Sequence, residues 1–335
     1  MLIITTGISG CGRKEYLEKF KKIAQTHNKK VKIYDTGDMI FDQAAKIGVN
    51  ITHESVLNTN PHVLNALRSS AFEAVLAELP KELKKNDVVI INIHSFFFWK
   101  KIFVRAYDKF YVDKFNPDLF ITFIDDAVRI KGSLDVRTQW KSEKLTLEEI
   151  LLWQNVEVEV SSGWAEICSK NFYVVSVGQP ASTLFKLAFY PQMEPIYISM
   201  PMTHLPNKYK ASVTKFIEKL ENYFVVFDPR TVEIDVSSLK KIDAATYNQT
   251  VNRDLYWLIK QSKKIISFFP IVVSSPGVIN ELREGYETNK EVWVVYPSDS
   301  ASPFITYFCN KLFKTEKEFF KFLASSKYKS YKNVS

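Results

Sequence analysis

The chain has 335 residues, a formal net charge of +8 and 46% apolar residues, enough for two domains with a core each. Its basic excess is mostly scattered lysine, with no Arg-rich stripe interleaved with aromatics, so anionic ligands such as nucleotides are expected and nucleic acid is not. The three cysteines, Cys11, Cys168 and Cys309, are far apart, odd in number and without metal-site spacing, which fits a reduced cytoplasmic compartment; no stretch reaches the ~20 apolar residues that span a bilayer, and the apolar start at Met1–Thr5 is too short for a signal peptide.

Leu2 to Thr6 reads as a strand, followed by Gly7-Ile8-Ser9-Gly10-Cys11-Gly12-Arg13-Lys14 and a helix over Tyr16 to Thr26. Strand, glycine-rich loop and helix in that order cradle phosphates with backbone N–H groups. Gly7, Gly10, Gly12, Arg13 and Lys14 are therefore candidate phosphate contacts. The pattern G-x-x-x-x-G-K-[ST] would place lysine at 13 and a hydroxyl at 14. Arg13 and Lys14 stand there instead, so the hydroxyl that normally holds magnesium is missing.

Val31 to Asp35 is a second strand, with Thr36-Gly37-Asp38 capping a helix through Ala45. Pro61 to Leu79 spaces its apolar residues as an amphipathic helix. Asp87 to His94 and Asp118 to Ile124 are apolar runs of the kind buried in parallel sheets. Thr146-Leu147-Glu148-Glu149 opens a long helix, and Phe172 to Val177 is the last strand of a three-layer α/β domain ending near Gly178.

This half, residues 1–178, resembles the archaeal type of adenylate kinase. The resemblance rests on the loop at 7–14, Tyr34-Asp35-Thr36-Gly37-Asp38-Met39, Ile91-Asn92-Ile93-His94, Pro117-Asp118 and the lid-like Arg129…Asp135-Val136-Arg137. It implies a P-loop kinase-like domain that takes ATP or another nucleotide with Mg2+, and adds Arg129 and Arg137 to the phosphate contacts. Three departures, Arg13, Lys14 and Asn92 where a lysine, a hydroxyl and a strand-end acid are expected, point to binding with weak or absent phosphoryl transfer. His94 is equally well read as a strand-end histidine bonded within the core or as a nucleotide contact.

Prolines at 180, 191 and 195 bracket a short helix in a junction at 179–195, after which a second α/β pattern covers 196–325 and a lysine-rich tail 326–335. Ile196 to Met202 is a strand entering a loop, Tyr209 to Tyr223 a helix, and Phe224 to Asp228 a strand ending on an acid. Asn252-Arg253-Asp254 leads a helix to Ser262, Lys264 to Phe269 is a buried strand, and Val292 to Tyr296 closes the sheet. Between the last two strands, Ser274-Ser275-Pro276-Gly277 turns into a helix from Ile279 to Asn289. Ligands of open α/β sheets sit at the carboxyl ends of the strands, which collects Met200, Asp228, Ser275 and Glu281 at one edge. On the turn alone, a helix start with a solvated Glu281 describes these residues as well as chemistry does.

The second half resembles the nucleoside 2-deoxyribosyltransferase family, including its relatives that hydrolyse deoxynucleoside 5′-monophosphates. The matching residues are Tyr197-Ile198-Ser199-Met200-Pro201, Asn252-Arg253-Asp254 and Ser275-Pro276-Gly277-Val278…Glu281-Leu282. The resemblance implies a flavodoxin/Rossmann-like domain with Glu281 as nucleophile on C1′ and Asp254 assisting at base or sugar. Asp228 or Asp254 would protonate the leaving base, and Tyr197, Met200, Ser275 and Gly277 would bind substrate. Ser275, where the transferases carry Asp, tilts the expectation towards a nucleotide. Met200-Pro201-Met202-Thr203-His204 replaces the hydrolases' glycine-rich loop and leaves the phosphate site open. The expected function is N-glycosidic cleavage or exchange needing no cofactor; a nucleotide-binding sensor or scaffold and a nucleoside monophosphate kinase are the alternatives. The resemblance further implies a homo-oligomer.

Overall fold

The computed structural model describes residues 1–202, 205–232, 248–249, 251, 253–326 and 328–331, without the side chain of Asp254. It is an α/β chain that divides between Ala181 and Ser182 into two compact units, each a three-layer domain about its own sheet.

The first unit is built on five parallel strands in the order β2 (Val31–Asp35), β3 (Val88–Asn92), β1 (Leu2–Gly7), β6 (Leu119–Ile124), β7 (Asn171–Ser176). β1, β3 and β6 are buried along their whole length, which is why they read as largely apolar runs. One face of the sheet, presented by Leu2, Ile4, Val89, Ile91 and Phe120, packs against Phe72 and Val75 of α3 (Pro61–Lys85), Val112 and Phe115 of α4 (Lys109–Phe115) and Trp164 of α7 (Leu147–Ile167). The opposite face carries α1 (Arg13–Thr26), whose Tyr16 ring lies 5.0 Å from that of Phe123. The glycine loop leaves the central strand of this sheet.

Several elements differ from the sequence expectation. α1 starts at Arg13, directly after the loop. The cap of α2 (Thr36–Lys46) is Asp35, which accepts from Asp38 N. α3 runs on through Pro80 to Lys85; one missing N–H removes a single helical bond, and the buried Val75 and Leu79 anchor the preceding turn. Phe96-Phe97-Phe98-Trp99 forms β4, paired antiparallel with β5 (Ile102–Arg105) through a turn at Lys100 and Lys101, both at positive φ. α5 (Ala127–Asp135) and α6 (Thr138–Lys141) lead to Thr146, whose side chain and Glu149 make the expected capping box on α7.

The second unit has five parallel strands in the order β12 (Lys311–Phe313), β11 (Glu291–Val295), β10 (Lys264–Phe268), β8 (Pro195–Ser199), β9 (Val225–Phe227). Numbered from β8 this is 2-1-3-4-5, the flavodoxin-like order, with its switch point between β8 and β10. The edge strand is β12 and not β11, so Val292 to Tyr296 does not close the sheet. Ile196, Ile198, Ile266 and Trp293 face a core with α9 (Lys210–Leu220) and α12 (Glu316–Ser325), in which Phe216 stacks on Phe268 at 4.1 Å. The other face carries α10 (Pro276–Glu287), brought close by Gly285, where an added Cβ would stand 3.0 Å from Val292 Cγ2 and closer still to Ile265 Cδ1. α11 (Pro303–Phe308) packs on α10.

The stretch expected as a junction holds α8 (Ser182–Phe189), whose Leu184, Phe185 and Lys186 are buried, so it is part of the second unit's structure. The tail is also packed there through its described residues: Tyr328 lies 5.2 Å from Phe224, and Tyr331 N donates to Asn222 O. Among the described residues no helix is long and apolar enough to cross a membrane.

Candidate functional sites

The first site forms where β1 ends. Gly10 and Gly12 have φ of +83° and +77°, conformations that strain residues with a Cβ, and a Cβ on Gly7 would stand 2.8 Å from Phe123 O. No side chain caps α1, so its first N–H groups face the loop. The loop opens on a cavity of about 230 Å³ whose lining includes Arg13, Lys14, Arg68, His94, Arg137 and Trp140.

Arg13 is turned inward: only 7% exposed, its Nη1 donates to Gly7 O and Ile93 O, both at 2.6 Å, tying the end of β1 to the segment after β3. Beneath it, the fully buried Glu157 of α7 accepts from Gly7 N at 3.1 Å, Ser95 N at 2.9 Å, Phe96 N at 3.2 Å and Ser95 Oγ. Burial pushes the Glu157 carboxyl above the ordinary range, opposed by these bonds and by the Arg13 charge. Lys14 pairs with Asp38 at 2.7 Å and Asp35 at 3.3 Å. Asn92 donates to Asp35 Oδ2 at 2.9 Å and accepts from Thr5 Oγ1 at 3.1 Å.

Arg68, 5% exposed, donates to Asn65 Oδ1 at 2.7 Å, and its desolvation lowers its pKa to about 10. Burial, then the charges of Arg13, Lys14 and Arg68, hold His94 well below the usual imidazole range, so it is neutral at physiological pH. Its ring lies 4.5 Å from Phe97, and its buried Nδ1 has no partner among the described residues. The Cys11 thiol is pushed up to about 11, chiefly by burial, and is not poised to react. Arg137 lines the cavity, whereas Arg129 does not: its guanidinium is held by Asp125 through Nε at 2.9 Å and Nη2 at 2.5 Å.

The second site lies at the switch point between β8 and β10. Tyr197 and Ser199, two positions apart, share the face of β8 that looks towards α10, and each reaches Glu281. Tyr197 Oη donates to Glu281 Oε1 at 2.8 Å, and Ser199 Oγ donates to Oε2. Glu281 is half-buried and both its oxygens are aimed, unlike a solvated helix residue. Next to this pair, Ser267 stands in register with Ser199, and its buried Oγ has no partner among the described residues.

The remaining candidates fall as follows. Ser275 caps α10, accepting from Val278 N at 3.5 Å, and Gly277 is exposed with open space where a Cβ would be. The Met200 side chain is spent on the apolar core with Val213 and Phe216, so it does not face the strand-end crevice as expected. Asp228 ends β9, with both oxygens engaged by Arg230, Nε at 3.0 and 3.1 Å and Nη2 at 2.7 Å. The side chain of Asp254, with Asn252, Thr203 and His204, lies outside the described residues. Glu157, Arg68 and Ser199 were not anticipated as site residues; for Ser199 the signal was its i, i+2 spacing from Tyr197.

The chain is thus a two-domain α/β protein, with a cation-lined glycine-loop cavity in one unit and a doubly hydrogen-bonded carboxylate at a strand-end crevice in the other. No family model matches it. Over 93 residues it is 30% identical to a UPF0200 protein of Thermococcus onnurineus, an alignment covering 28% of this chain and 47% of that protein, so the chain spans about half the length of the curated relative it matches. It is also similar to the crystal structure of an unliganded sugar kinase from Janibacter sp. HTCC2649, with TM-score 0.30, 16% identity, and coverage of 56% of this chain and 91% of that one. At that score the likeness carries no argument.

Proposed function

We propose that this protein cleaves or exchanges the N-glycosidic bond of a nucleoside or nucleotide through Glu281, and that its first unit binds nucleotide phosphates at the loop of residues 7–14. The observation that carries the glycosidic reading is the clamp on Glu281. Two hydroxyls on one strand fix both carboxylate oxygens where open α/β sheets take their ligands. A carboxylate so aimed can attack C1′ as the bond to the base breaks, the electron pair leaving with the base, which takes a proton. Asp228 spends its oxygens on Arg230, which leaves Asp254 as the donor in this reading. Water or a second base then displaces Glu281 and completes hydrolysis or transfer. The reading needs no cofactor for these steps and takes the protein to be a homo-oligomer.

For the first unit, four cationic side chains around one cavity support phosphate binding. Arg13 bonded to backbone carbonyls and Lys14 bonded to carboxylates support binding with little turnover. The same contacts favour a second reading, a nucleotide sensor in which neither unit reacts. Chromatography for free base, over a panel of nucleosides and monophosphates, tests the first reading beside an assay of phosphate transfer from ATP. Base release with transfer below about 1 per second is expected. No base from any substrate leaves the sensor reading, and transfer at an ordinary kinase rate overturns the account of the loop.

A further inference from the structure

We propose that the loop cavity of the first unit takes its phosphate ligand as a bare anion, without a divalent cation, and that the Lys14 ammonium stands where a metal ion would, neutralising Asp35 and Asp38 beside the phosphate. This rests on reading the cavity as a nucleotide phosphate site.

The residues present do not fit a loop-bound magnesium ion. Such an ion is held by a hydroxyl directly after the loop cation and by a carboxylate. Lys14 stands at the first position. At the end of β3 the residue is Asn92, whose amide is spent on Asp35 and Thr5. The nearby carboxylates, Asp35 and Asp38, already hold the Lys14 ammonium at 3.3 and 2.7 Å. A divalent ion entering there would have to displace an ammonium that is covalently part of the chain and cannot diffuse away. Among the described residues, moreover, no three His, Cys, Asp or Glu side chains are grouped to hold a metal.

What the cavity offers instead is a small excess of fixed positive charge, with Arg13, Lys14, Arg68 and Arg137 in the lining against Glu15, Asp35 and Asp38. Arg68 is buried at its wall, and Arg137, which makes no ion pair among the described residues, lines it as well. Two buried polar atoms lining the same cavity, His94 Nδ1 and Gln139 Nε2, have no partner among the described residues. They stand with the rings of Phe97 and Trp140, also in the lining. Unpaired polar atoms beside aromatic faces suit a heteroaromatic ring bearing both donors and acceptors. The ligand class is therefore a phosphate ester of a heteroaromatic nucleoside, bound metal-free.

Isothermal titration of the full chain with AMP and with ATP, each in excess EDTA and again in excess MgCl2, tests this. AMP is expected to bind equally in both buffers, and ATP no more tightly in magnesium than in EDTA. Tighter binding of either nucleotide in magnesium overturns the proposal while leaving the phosphate site standing. No binding in either buffer overturns the phosphate reading and the proposal with it. Lys14→Met, of similar length and uncharged, should weaken AMP in EDTA by about tenfold or more; unchanged affinity would remove Lys14 from the role. Lys14→Ser restores the hydroxyl and frees Asp35 and Asp38, so its ATP affinity should gain a dependence on magnesium that the wild type lacks.

Discussion

Replacing Glu281 by Gln tests the second unit most directly, because the structure states what the substitution leaves intact. The carboxylate accepts one hydroxyl at each oxygen. In the variant the amide oxygen still accepts one of them, and the amide nitrogen donates to the other, since a hydroxyl can turn and accept. Exchanging two charge-assisted bonds for neutral ones costs about 1 kcal/mol each, and relief from burying a charge offsets part of it. A net loss of about 1 kcal/mol leaves the fold intact. The nucleophile, by contrast, is gone: a neutral amide does not attack C1′, so base release should fall at least about a hundredfold, or about 2.7 kcal/mol of transition-state stabilisation. The assay is steady-state release of free base, with circular dichroism to confirm the fold. A Glu281→Gln variant with wild-type release would refute the reasoning, and the Tyr197–Ser199–Glu281 cluster would then be structural.

Ser199→Ala removes one of the two bonds that aim Glu281; kcat is expected to fall about tenfold with KM little changed, because aim matters most in the transition state, and a changed KM at constant kcat would contradict it. Gly285→Ala should destabilise the second unit by about 1 kcal/mol in urea unfolding, the clash with Ile265 and Val292 outweighing the better helix propensity; a stabilised variant would show that α10 has room to move. His94 titrates far below its unfolded value of 6.5, so below about pH 6.5 the unfolded chain binds the extra proton and stability drops as pH falls. Thermal unfolding between about pH 7 and about pH 5 should show that drop diminished in His94→Leu, and an unchanged slope would mean that His94 is protonated in the folded protein.

Local pattern was enough wherever the physics is local. The spacing of Gly7, Gly10 and Gly12 after an apolar strand marked the loop, since those backbone angles admit little else. The Thr146–Glu149 box marked the start of α7 because both of its bonds lie within one helical turn. Mostly apolar runs marked the central strands of both parallel sheets, because such strands are buried on both faces. The β4–β5 hairpin escaped, since Lys100 and Lys101 adopt positive φ without the Asn or Gly that usually signals such a turn. Glu143 accepting from Lys100 N and Glu149 pairing with Lys101 hold that turn from more than forty residues away.

The site chemistry divides in the same way. Composition and spacing determined that a glycine loop with two cations follows β1, and that a carboxylate follows a Ser-Pro-Gly turn. Only the tertiary structure decided that Arg13 turns inward onto Gly7 and Ile93, that Lys14 is claimed by Asp35 and Asp38, and that Asp228 is claimed by Arg230. It likewise decided that Met200 is spent on the core while Ser199, one residue earlier, reaches Glu281. The period-2 pleat assigns neighbouring residues to opposite faces, but which face meets the helix bearing Glu281 depends on strand order, here 2-1-3-4-5, and strand order is set by packing between segments distant in the chain.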